Sequence, residues 1–168
     1  VLSKSARLKM PKLYWTEMTQ DNVKYEVLAM EYLSGSNAGA IVADNLTEEC
    51  RNNIAEEVVD NLLAYHHTIN PAGFGAIGAE TFVDDWRSYY RPIVNSIYEK
   101  AKLMLEQGKM YPEALRIMEL AMERYDDIFY LPITEARLIH GDYNMWNIMV
   151  DESMEHACAV IDPYNCCY

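Results

Sequence analysis

Basic residues are scarce in this chain. Fourteen Lys and Arg stand against 26 Asp and Glu in 168 residues, a formal charge of −12. A nucleic-acid binder needs a positive footprint, so that class is excluded. No apolar run approaches the roughly 18 residues that span a bilayer, and no signal-peptide pattern opens the chain. The four cysteines, Cys50, Cys158, Cys166 and Cys167, have no C-x-x-C spacing. They read as reduced thiols of a cytosolic protein, with the adjacent pair as packing residues, rather than as a disulfide framework or a zinc site. The glycine-rich stretch "NPAGFGAIG" lacks G-x-G-x-x-G order and does not join a strand to a helix, which removes it as a phosphate cradle. There is no repeat, no low-complexity tract and no long linker.

What remains is 51% apolar content, enough for one sizeable core. "VLSKSARLKMPKLYW" reads as a helix end stopped before Pro11 and leading into a strand. "TQDN" is the expected hairpin turn, and "YEVLAMEYL" a buried strand running into the Gly/Ser connector "SGSNAG". From Thr47 the period changes: Ile54, Val58, Leu62 and His66 recur every fourth residue, Val59 and Leu63 widen the stripe, and Thr47 is placed to cap. That helix should end near Asn70-Pro71, with His66 and His67 suiting its C-terminal dipole. A helix from about Thr81 to Gly108 is expected to break or kink at Pro92. Another begins at Pro112 and carries Leu115, Met118, Met122, Tyr125 and Phe129 inward. Three strand-like pieces follow: "ARLIHGD", "NIMVD" and "ACAVIDP". The fold class is α+β.

The chemistry concentrates in "LIHGDYNMWNIMVD". Phosphoryl transfer needs a carboxylate to orient a hydroxyl and take its proton, and oxygen ligands for Mg²⁺ on nucleotide phosphates. Asp142 leaves one strand-like piece and Asn147 opens the next. Asp162 ends the piece that pairs with it, so a hairpin brings Asn147 and Asp162 together. Taken singly, Asp142 and Asn147 have a bland explanation as an Asx-rich turn.

The pattern H-G-D-x-x-x-x-N followed by I-D, carried by His140, Gly141, Asp142, Asn147 and Asp162, resembles the aminoglycoside phosphotransferase and choline kinase-like superfamily, which has the protein-kinase fold. Four fixed letters recur at a given register about once in 10⁵, which makes the match specific. The resemblance implies Asp142 as catalytic base, His140 as a buried organiser of the loop, and Asn147 and Asp162 as Mg²⁺ ligands. "LAMEYLSG" looks like the hinge between kinase lobes. On that likeness Met30 is the gatekeeper, the Glu31 carbonyl and Leu33 amide pair with adenine, and Met149 and Ile161 form the apolar floor. The implied division is 1–33 as the end of the smaller lobe with its hinge strand, and 34–168 as part of the larger, mostly helical lobe with a catalytic β-hairpin.

Departures from the pattern carry information too. Gly141 replaces the arginine of protein kinases, and Asn144 stands where those enzymes carry lysine and many antibiotic kinases histidine. Both favour a small-molecule acceptor. Trp146 stands where the family often has glycine, and Ile161-Asp162-Pro163 replaces D-F-G. The "IDPYNCCY" ending is similar to fructosamine (ketosamine) and methylthioribose kinases.

The expected activity is transfer of phosphate from ATP or GTP, with Mg²⁺, to a small-molecule hydroxyl, the acidic balance favouring an amine-bearing acceptor. No V-A-I-K-like strand or phosphate-covering loop precedes the hinge. The expectation is therefore of a piece of a longer protein, without turnover by itself, whose exposed sheet edge favours self-association. The alternative is a catalytically inactive, kinase-like nucleotide-binding or scaffold protein.

Overall fold

Alternation of strand-like and helical periods along the chain resolves, in a computed structural model describing residues 1–21 and 23–168, into two compact units. One comprises Val1–Thr68 with Arg137–Cys167, the other Ile69–Ala136 with Tyr168. Asn22, the last residue of the expected "TQDN" turn, lies outside the described residues.

In the first unit, α1 (Leu2–Ser5) precedes two antiparallel strands, β1 (Leu13–Glu17) and β2 (Val27–Met30), which form a sheet of their own. The second sheet has the order β3-β4-β5, from β3 (Ser36–Asn37), β4 (Ile148–Val150) and β5 (Ala157–Val160), all antiparallel. β3 falls inside the stretch read as a connector: Ser36 and Asn37 pair with Val150 and Met149. Propensity gave no hint of a strand there, because the ladder is built from backbone groups and the side chains are incidental. Conversely "ARLIHGD" forms no strand. It contributes an isolated bridge from Ile139 to Cys167.

α2 (Glu48–His66) starts as the sequence dictates, with the Thr47 hydroxyl accepting the Cys50 N–H at 3.1 Å and Glu48 and Glu49 in the first turn. Its inward face is rotated from the expected stripe. Ile54, Asn61 and Tyr65 are buried, whereas Val59 and Leu63 are exposed. The spacing is still helical, but a polar residue and a tyrosine occupy the centre of the face, and an apolar count gives them too little weight. The helix packs against β5.

In the second unit, Asp85 caps α3 (Trp86–Glu106) by accepting the Ser88 N–H at 2.9 Å. The helix starts later than Thr81 because Val83 is held in a bridge to Phe74. Pro92 lies within α3, which continues through it as one element. α4 (Pro112–Glu123) gives way to the short α5 (Tyr125–Ile128), so the expected single helix is two. Leu115 and Tyr125 are buried as expected, while Met118, Met122 and Phe129 are half-buried. α4 packs on α3, where the Tyr98 hydroxyl donates to Glu119 at 3.3 Å. Among the described residues, no helix is long and apolar enough to cross a membrane.

Candidate active site

The β4–β5 hairpin is the mount. Ile148, Val150, Ala157, Ala159 and Val160 are buried, giving it a rigid base, and Ile148 faces Val160 across the ladder. Asn147 precedes β4 and Ile161 follows β5, so the register sets them opposite one another, joined by Ile161 N–H to the Asn147 carbonyl at 2.9 Å. Asp162 comes next, with φ +55, a left-handed conformation that short polar side chains tolerate and that turns the chain away from the strand.

Residues 140–147 arch over this end of the hairpin. The Asn147 carboxamide nitrogen donates to the Asp142 carboxylate at 2.9 Å and to the Asp142 carbonyl at 2.8 Å. The other carboxylate oxygen of Asp142 accepts from the Asn144 side chain at 2.7 Å. Two amides thus fix the orientation of an acid that remains exposed. With its nitrogen committed to Asp142, Asn147 has its side-chain oxygen left over. Among the described residues nothing donates to that oxygen, nor to the exposed Asp162 carboxylate. Carboxamide and carboxylate oxygens at one hairpin mouth suit a hard cation of the Mg²⁺ kind. No cluster of three or more His, Cys, Asp or Glu that could hold a metal ion occurs among the described residues.

Gly141 makes the arch possible. Its φ is +84, and a Cβ there would run into the carbonyl of Tyr164, just past Asp162. The loop and the segment after β5 meet backbone to backbone, and no arginine could occupy this position. Trp146 closes the other side: its carbonyl accepts the Asn37 carboxamide, and its ring lies so close to Gly39 that an added Cβ would sit 2.6 Å from Cδ2. The tryptophan that departs from the family pattern is accommodated by a glycine on the strap leading from β3.

His140 is 1% exposed, and its ring nitrogens have no hydrogen-bond partner among the described residues. Burial holds its pKa below the ordinary histidine value, while the backbones of Ile161 and Asp142 and the charges of Asp142 and Asp162 pull the other way. The ring is a neutral wedge beneath the loop, 5.5 Å from the Tyr143 ring.

The expected adenine-facing residues divide between the two sheets. Met149 and Ile161 are half-buried on and beside the β4–β5 hairpin. Met30, Glu31 and Leu33 lie at and beyond the end of β2. Among the described residues no hydrogen bond joins these three directly to the loop, and no backbone or side-chain group takes the Glu31 carbonyl or the Leu33 amide. The Glu31 side chain pairs with Lys9 at 2.5 Å, which holds its carboxyl below the usual range. Lys9 also bridges β5 in parallel, its amide bonded to the Cys158 carbonyl and its carbonyl to the Val160 amide. The segment around Lys9 therefore stitches the chain just past β2 to the hairpin.

Two residues that the motif reading passed over complete the site. Asn61 on α2 is fully buried and reaches both Arg7–Leu8 and Tyr143. Glu57, one turn earlier, accepts from the Ala157 amide at 2.7 Å and from His156 at 2.8 Å, clamping the closed end of the hairpin. Asn61 had a signal available, as the polar member of an otherwise apolar helix face.

No curated protein matches the chain. A solved structure, the complex of gentamicin with APH(2")-IIa, shares the fold with a TM-score of 0.63 at 14% identity. The match covers 96% of this chain and 49% of that one, so the chain spans about half the length of the structure it matches. The family model described as "Phosphotransferase enzyme family", APH, matches residues 1–168. With an H-G-D loop arched over a hairpin, a kinase-like α+β fold and a family match along its whole length, the chain belongs to the APH phosphotransferase enzyme family.

Proposed function

We propose that this chain carries the catalytic loop of an enzyme that transfers the terminal phosphate of ATP or GTP to a hydroxyl of a small molecule. The observation that carries the reading is the Asp142–Asn147 pair: a carboxylate oriented by two amides, at the mouth of a hairpin whose other strand ends in Asp162. Asp142 aligns the acceptor hydroxyl and takes its proton as the oxygen–phosphorus bond forms. The proton ends on the carboxylate, and the nucleoside diphosphate departs with the electrons of the broken phosphoanhydride bond. Asn147 and Asp162 would hold Mg²⁺, which would supply charge neutralisation on the nucleotide phosphates. His140 supports the loop from below.

In this reading the purine lies on Met149 and Ile161, with Met30 as gatekeeper and the Glu31 carbonyl and Leu33 amide as its edge partners. Their unclaimed backbone groups support that assignment. Residues 1–33 belong to the smaller lobe and 34–168 to the larger. The charge of −12 favours an acceptor bearing amines, in the manner of aminoglycosides or ketosamines, and a cytoplasmic setting suits its free thiols.

The test is phosphate transfer by the full-length protein from ATP or GTP, with Mg²⁺, across a panel of amine-bearing alcohols. Asp142→Asn should lower turnover by roughly 10²–10⁴-fold. Undiminished turnover overturns the role of Asp142. Nucleotide-dependent thermal stabilisation with no transfer to any acceptor would favour an inactive nucleotide-binding protein.

A further inference from the structure

Asn61 is a polar side chain with no solvent exposure, on the face of α2 where an apolar residue would pack at no desolvation cost. Three hydrogen bonds hold it. Its oxygen accepts the Arg7 N–H at 2.7 Å and the Leu8 N–H at 2.9 Å, and its nitrogen donates to the Tyr143 hydroxyl at 3.1 Å. That hydroxyl donates onward to the Val58 carbonyl, one turn back on α2, at 2.8 Å. A phenol that both accepts and donates has a fixed position. The Tyr143 ring is fixed as well, set edge-on against His140 at 5.5 Å and against Tyr65 at 6.2 Å. Burial raises the pKa of the Tyr143 phenol, so it stays protonated as a donor throughout the neutral range.

Tyr143 is the residue after Asp142. The Asp142 carboxylate is itself exposed, and its hydrogen bonds go to Asn144 and Asn147 within the same loop. Those bonds set the acid relative to its loop. The far end of the loop is tied elsewhere in the unit, Asn147 by the Ile161 N–H and Trp146 by Asn37, which leaves open what holds the end beside Asp142.

We propose that Asn61 is a positioning residue of the loop, acting through the Tyr143 hydroxyl to hold Asp142, and with it the Asn147 carboxamide bonded to that acid, in place against α2. This rests on the reading of Asp142 as the base. The bland account gives Asn61 only the task of accepting the two N–H groups of Arg7 and Leu8. That account uses the oxygen and leaves the nitrogen's bond to Tyr143 idle, which is where the two accounts diverge.

Tyr143→Phe deletes the hydroxyl while keeping the ring against His140 and Tyr65. Asn61→Ala also strips the acceptor from Arg7 and Leu8, so the phenylalanine variant decides the matter if the alanine variant is too unstable to purify. Two readouts are taken on the full-length protein. The first is kinetic: each single variant should lower kcat roughly five- to tenfold, as expected for one net hydrogen bond. KM for the nucleotide should stay within about twofold, because the bond acts on orientation rather than on binding. The double variant should be no slower than the slower single, since both remove the same link. The second readout is the side-chain amide resonance of Asn147 by nitrogen-15 NMR, which should move in Tyr143→Phe and in Asn61→Ala.

A wild-type kcat in Tyr143→Phe with an unmoved Asn147 resonance overturns the proposal, as does full additivity in the double variant. If Asp142→Asn leaves turnover intact, the functional reading fails, yet the Asn147 resonance still reports whether Asn61 positions the loop.

Discussion

The first unit contains two β-ribbons of similar apolar composition and opposite circumstances. In β4 and β5 every second residue or more is buried. In β1 and β2 the apolar side chains are largely in solvent, with Tyr14 at 62% and Trp15 at 53% exposure, and Leu28 and Met30 near half. Propensity cannot distinguish "LYWTE" and "VLAM" from "IMV" and "ACAV". Support can: the β4–β5 hairpin has β3 on one side, α2 against β5 and the Lys9 segment bridging its edge. The β1–β2 sheet has two strands and no third among the described residues. A two-stranded ribbon is marginal alone. The residues proposed to do chemistry stand on the buried ribbon, and three of those proposed to face adenine stand at the end of the exposed one. Groups that must hold a fixed geometry relative to a reacting atom gain most from a rigid base.

The comparison breaks most visibly by deleting side-chain bulk. Ile148→Ala should lower unfolding free energy by about 2–5 kcal/mol, and Leu28→Ala in the exposed ribbon by no more than about 0.5–1 kcal/mol, both by urea denaturation. A large cost at Leu28, together with a melting temperature that rises with protein concentration, would show that the ribbon is covered by a second copy. Gly141→Ala should cost about 2 kcal/mol or more, from left-handed strain of about 1–2 kcal/mol plus the clash with the Tyr164 carbonyl. Loss of stability there with intact ATP·Mg²⁺ binding would show that the loop adjusts without disturbing the hairpin mouth.

The smallest effects are in pH. Burial depresses the pKa of His140, so the unfolded chain binds a proton more readily than the folded one. Stability should fall as pH drops below about 6.5, and the decline should vanish in His140→Phe. For exposed His156 the sign is opposite. The bond to Glu57 raises its pKa, so its contribution is complete below about 6.5 and fades as pH rises through the raised value. Glu57→Gln should remove that alkaline decline, read as melting temperature against pH.

The motif letters were legible because they are local. Asp142 and Asn147 meet across five residues, and the hairpin that brings in Asp162 follows from two short apolar runs with a turn between them. α2 was legible from Thr47 onward for the same reason, since caps and helical period are short-range physics. The connector that became β3, the run at 136–142 that became a bridge, and the true inward face of α2 were not. Each depends on what lies opposite in space: Val150 for Ser36, Cys167 for Ile139, and Tyr143 for Asn61.

Sequence alone therefore determined which groups are present at the loop proposed to orient a hydroxyl and hold a metal, because residue identity and short spacing set their chemistry. Only the tertiary structure decided how they are held. It chose the Asn61–Tyr143 link, the Glu57 clamp and the backbone contact that admits nothing larger than glycine at 141. Those choices depend on surfaces brought together from positions far apart in the chain, and burial and contact exist only once they have met.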